Sequence, residues 1–79
     1  MREAGRSLLT PTQWLVLEHL AGGDSNAAIA RALGIRLPTV ASHVAGIYQR
    51  LPHANRGGKR AAAVAWYWTV GRALHEEGV

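Results

Sequence analysis

A glycine and a proline four residues apart, Gly34 and Pro38, sit between two segments that each carry one apolar stripe. Before the glycine, Ile29, Ala30 and Leu33 recur at spacings of one, three and four; after the proline, Val40, Val44, Ile47 and Leu51 recur every three or four residues. That is the period of an amphipathic helix and not the alternation of a strand. Gly34 can close the first helix in the left-handed conformation, Ile35 can plug the gap between the helices, and Pro38 is tolerated only in the first turn of the second. Residues 26–51 therefore read as helix, tight turn, helix. That is the layout of a helix-turn-helix, a motif used mainly to hold DNA.

The flanks supply more helices. Thr10 is a good N-cap, Pro11 suits the first helical position, and Gln13 stands where its side chain can return a hydrogen bond to the cap. In the helix that follows, Leu17 and Leu20 are expected to face the core with Trp14 or Val16, and Gly22-Gly23 ends it. Ser25 is the expected cap of the next helix, Asn26–Leu33, with Leu33 in the shared core. Residues 52–58 read as a loop because Pro52 and the Gly57-Gly58 pair oppose helix continuation. Lys59 or Arg60 opens a last helix through Ala61, Val64, Trp66, Tyr67 and Trp68 that is apolar nearly all round. A domain this small cannot bury every face of such a helix, so at least one of Trp66, Trp68 and Val70 is expected to be exposed and to form a partner surface. The expectation is an all-α fold: residues 1–8 as a flexible segment and residues 9–79 as one domain.

Size and charge narrow the class. A chain of 79 residues buries only ~60% of the surface it exposes when unfolded. It has no cysteine for a disulfide or a zinc site, so helix packing, helped by a partner, must hold it. Residues 1–7 are polar and no apolar run approaches the ~20 residues that span a bilayer, which places the chain in the cytoplasm. The net charge of +4 favours an anionic partner. His19, His43, His53 and His75 show no ligand spacing on a shared helix face, so no metal is expected. No serine, histidine and acid set, phosphate loop or carboxylate pair appears, and with five acidic residues in all an enzyme is not expected, nor any cofactor.

The residues themselves carry a resemblance. Leu9-Thr10-Pro11, Val16-Leu17, residues 22–26, Ile29-Ala30, Leu33-Gly34-Ile35, Thr39-Val40, His43, Ile47, Arg50-Leu51 and Asn55-Arg56 look like the LuxR-type (GerE-type) DNA-binding domain. The match covers about residues 9–64. It implies a bacterial transcription regulator with a four-helix helix-turn-helix domain, a tri-helical core plus a C-terminal dimerisation helix. The helix beginning near Thr39 (residues 38–51) would enter the major groove of double-stranded DNA, and the fourth helix would form a two-fold homodimer. Only about eight residues precede the motif, as in a stand-alone domain or an excised one.

The departures from that pattern matter as much. An acidic residue near Gln13, a Lys-Glu pair at Ala27-Ala28, a Ser cap at Arg36 and a Lys at Ala41 are all replaced. The resemblance assigns base contact to Ala41, Ser42 and Ala45, with Gln49 beside them, and no guanidinium is available there to grip guanine bidentately. Affinity would then rest on phosphate contacts from Arg36, Arg50, Arg56, Lys59 and Arg60. Thr39 either donates to a phosphate or bonds its own backbone. His43 faces the phosphates or braces the helices, with packing preferred. Trp14 is more readily a packing residue than a base-stacking one. Two readings remain: a nucleoid-associated regulator that reads DNA by sequence or by shape, or a protein-interaction module on the same fold that binds a regulator, a sigma factor or RNA polymerase. A sigma-factor region-four fold is a weaker third, opposed by Asn55-Arg56 and the last helix.

Overall fold

Thr10 and Gln13 start the first helix by serving each other's backbone: the Gln13 N–H donates to Thr10 Oγ1 at 3.1 Å and the Thr10 N–H to Gln13 Oε1 at 2.9 Å. Such a reciprocal cap satisfies two donors that helix geometry leaves without partners. In the computed structural model, which describes residues 8–51 and 58–77 with side chains as far as Leu74, this helix is α1, Pro11–Ala21. It ends at Gly22, and Gly23 takes a φ of 95° that a side chain would resist. His19 Nδ1 lies 2.7 Å from Asp24 Oδ2 across this turn.

Helix α2, Asn26–Leu33, is capped by Ser25, whose Oγ accepts from the Ala28 N–H at 3.1 Å. Gly34 closes it at φ 68°, ψ 34°, the expected left-handed geometry, and the Ile35 N–H reaches Ala30 O at 3.1 Å. Helix α3 runs Leu37–Arg50, one residue earlier at each end than the expected 38–51, so that Pro38 falls in its first turn and Leu51 becomes its C-cap. All described elements are helical.

The core forms where α1 meets α3 on one side and the last helix on the other. That double cover explains why α1 buries Trp14, Val16, Leu17 and Leu20 together, where one stripe would have taken either Trp14 or Val16; Leu15 is left exposed. Ile29 and Ala30 come from α2, Val40, Val44 and Ile47 from α3. Leu33, expected in this core, is the last residue of α2 and is only half-buried at the edge of the cluster. Leu9 is fully buried and Leu8 packs half-buried against the same cluster; the rest of the segment expected to be flexible, and the 52–57 part of the expected loop, lie outside the described residues.

The last helix is not uniform. Helix α4, Lys59–Trp66, passes into a π-helical turn at Tyr67–Gly71 and then into α5, Arg72–Glu77. Backbone angles are helical at Trp66, Tyr67 and Arg72, but the Arg72 N–H bonds to Tyr67 O, five residues back. Two side chains accommodate the wider turn. Trp66 lies over Gly71, which has no Cβ to obstruct it, and the Thr69 hydroxyl donates to the Ala65 carbonyl at 2.9 Å, a side-chain bond back along the helix.

Candidate nucleic-acid interface

Packing of Val40, Val44 and Ile47 into the core turns the opposite side of α3 to solvent. Thr39, Ala41, Ser42, Ala45 and Gln49 are all exposed, and none of the five is charged. Alanine methyls can meet a thymine methyl, Ser42 can bond several base edges and Gln49 can pair with adenine. Gly46, on the same helix, is half-buried beneath Gln13 and forms the border of this face with α1. His43 is half-buried on the same helix.

Cations stand at the ends of this helix. Arg36 is the N-cap of α3 and Arg50 its last residue, both exposed, so some 14 residues or ~21 Å of helix separate them. Arg36 makes no side-chain cap to α3, unlike Thr10 and Ser25 on the two helices before. A span of ~21 Å exceeds the ~12 Å width of the major groove, so two such side chains can reach phosphates on both sides while the neutral face lies over base edges. Lys59 is exposed at the start of α4. Arg60 is committed within the chain: Nη1 donates to Asn26 Oδ1 at 3.2 Å and Nη2 to the Asp24 carbonyl. Arg56 lies outside the described residues.

The aromatic residues separate into two groups. Trp14 is buried and packs against Trp66, ring centroids 6.0 Å apart, which removes Trp14 from any base-stacking role. Trp66, expected on a partner surface, is half-buried inside the chain because it points between Trp14 and Gly71. Trp68 and Val70 are the exposed pair, at 53% and 44%. The Trp68 ring stands nearly perpendicular to that of Tyr67, centroids 5.2 Å apart, has the Arg72 guanidinium 5.7 Å from its centroid, and donates its Nε1–H to Ala21 O at 3.2 Å. Leu37, the first residue of α3, is a further exposed apolar side chain that the stripe did not single out. Among the described residues no group of histidine and acidic side chains is placed to hold a metal, and no helix is long and apolar enough to cross a membrane.

Three helices around one core, the third carried outward after a glycine turn and flanked by arginines, define a helix-turn-helix domain of the DNA-binding regulator type. The chain belongs to the bacterial regulatory proteins of the luxR family, whose family model matches residues 7–63. Comparisons with curated proteins and with solved structures gave no match. The family match stops before Trp66, so the π turn and the exposed Trp68 and Val70 lie beyond it.

Proposed function

We propose that this chain is a cytoplasmic, nucleoid-associated transcriptional regulator that lays α3 in the major groove of double-stranded DNA and pairs with a second copy through the last helix. The observation that carries this reading is the outward side of α3, open along its length between Arg36 and Arg50. Ala41, Ser42, Ala45 and Gln49 touch base edges. Arg36, Thr39, Arg50 and Lys59 hold phosphates, together with Arg56, whose position matches the family pattern. Arg60 is left out of that set because its guanidinium already serves Asp24 and Asn26. Trp68 and Val70 form the pairing surface, and a two-fold pair sets its half-sites about one helical turn, ~34 Å, apart.

With no guanidinium among the base-reading residues, most of the affinity comes from the backbone and depends steeply on salt. Arg36→Ala or Arg50→Ala is expected to weaken binding to all sequences alike and to make the salt slope shallower by about one. The test is a titration against pooled random duplexes at two salt concentrations, with sequencing of whatever is retained. An unchanged slope in both variants removes the phosphate assignment.

The absence of charge on the outer side of α3 favours a second reading, in which this side and the exposed Trp68 meet a protein of the transcription machinery. Ala45→Lys separates the two. Added charge strengthens or retargets DNA binding but disrupts an apolar protein contact.

A further inference from the structure

Three side-chain hydrogen bonds run from the last helix to the short segment, residues 21–26, that joins α1 to α2. Arg60, in the first turn of α4, donates to Asn26 Oδ1 and to the Asp24 carbonyl; Trp68, two residues past the end of α4 and within the π turn, donates to the Ala21 carbonyl. The acceptors lie at the two ends of one tight turn. That turn is itself braced, by the His19–Asp24 contact at 2.7 Å and by Ser25, which caps α2. A displacement of the last helix is therefore passed to the first residue of the helix-turn-helix pair and is not absorbed by a loop. The guanidinium suits this place because a planar fork holds a backbone oxygen and a side-chain amide oxygen at once, which a single ammonium does poorly.

We propose that Arg60 and Trp68 are positioning residues that fix the last helix, with its exposed Trp68 and Val70, in one orientation to α2 and α3, so that pairing of two copies and binding of two DNA half-sites reinforce each other. This rests on the reading of the chain as a paired DNA-binding regulator. The physical ground is effective concentration: a second reading helix finds its half-site readily only when the link between the two is stiff and of the right span. A loosened bracket leaves each copy able to bind DNA and removes the advantage of binding as a pair.

The experiment uses the full chain and a duplex recovered from the random pool, offered with one half-site and with two, at a temperature where every variant is folded. Arg60→Ala, Arg60→Lys and Asn26→Ala are each expected to keep one-site affinity within about twofold and to cut the two-site advantage about tenfold, with the salt slope unchanged. The Arg60→Ala, Asn26→Ala double variant is expected to be no worse than Arg60→Ala alone, because that change already removes the Asn26 bond. A one-site loss with a slope shallower by about one would overturn the proposal by making Arg60 a phosphate contact. So would a two-site advantage that all variants retain. If the unaltered chain shows no two-site advantage, the pairing reading fails, and a double-mutant cycle of Arg60 and Asn26 in thermal unfolding decides the bracket alone: additive losses overturn it.

Discussion

A Cβ added to Gly71 would stand 2.3 Å from Cζ3 of Trp66, with two more ring atoms within 3.0 Å. An indole ring packed on Trp14 has little room to yield. Gly71→Ala is therefore expected to destabilise the fold by about 1–3 kcal/mol, even though alanine gains ~1 kcal/mol of helix propensity over glycine. Denaturant unfolding reads this directly. A more stable variant would mean that the Trp66 ring moves aside at little cost.

Gly46 offers the opposite case. Its added Cβ would meet Gln13 Nε2 at 2.7 Å, the free end of a flexible side chain, whose Oε1 is held by the Thr10 N–H. Displacing Gln13 sacrifices part of a cap of about 1 kcal/mol while alanine adds a similar amount of helix propensity, so Gly46→Ala is expected to be nearly neutral. In a Gln13→Ala background the clash is gone, and the same change is expected to stabilise by about 0.5–1 kcal/mol.

The core makes a graded prediction. Leu17→Ala is expected to cost about 2–5 kcal/mol, because Leu17 is fully buried where α1 meets its neighbours, and in a domain this small that is a large share of the total stability. Leu33→Ala, at a half-buried helix end, is expected to cost about 1 kcal/mol. Equal losses would place the centre of the core nearer α2 than burial indicates.

These contrasts show which parts of the molecule the sequence announces. Thr10 with Gln13, Ser25, Gly34 and Pro38 act within three or four residues of themselves, so their caps and turns are legible by eye, and so is the stripe Val40, Val44, Ile47. Leu33 reads as a core residue and sits at the core's edge, because a stripe gives direction but not depth. The two roles of Arg60 and Trp68 were out of reach for a different reason: their acceptors lie 34, 36 and 47 residues away. Which of Trp66, Trp68 and Val70 faces outward is equally hidden, since Trp68 and Val70 lie within the π turn, where the facing departs from that of a regular helix.

The pairing surface yields the fourth prediction. Val70→Asp, an exposed position within the π turn, is expected to convert pairs to monomers in sedimentation while leaving the unfolding midpoint little changed. Trp66→Ser is expected to do the reverse and lower stability by about 3 kcal/mol or more through lost packing on Trp14. A Val70→Asp variant that stays fully paired would move the surface elsewhere.

The π turn also means that the last helix holds one residue more between Trp66 and Arg72 than a regular α-helix would need. Each residue advances a helix by ~100°, so the bearing of α5 is fixed by a count of residues and not by their identity. Alanine scanning leaves that count untouched and would pass over it. Removing Val70 outright would restore the regular ladder and swing Arg72 and Leu74 by about a quarter of a turn, a change of aim that no single side-chain replacement can make.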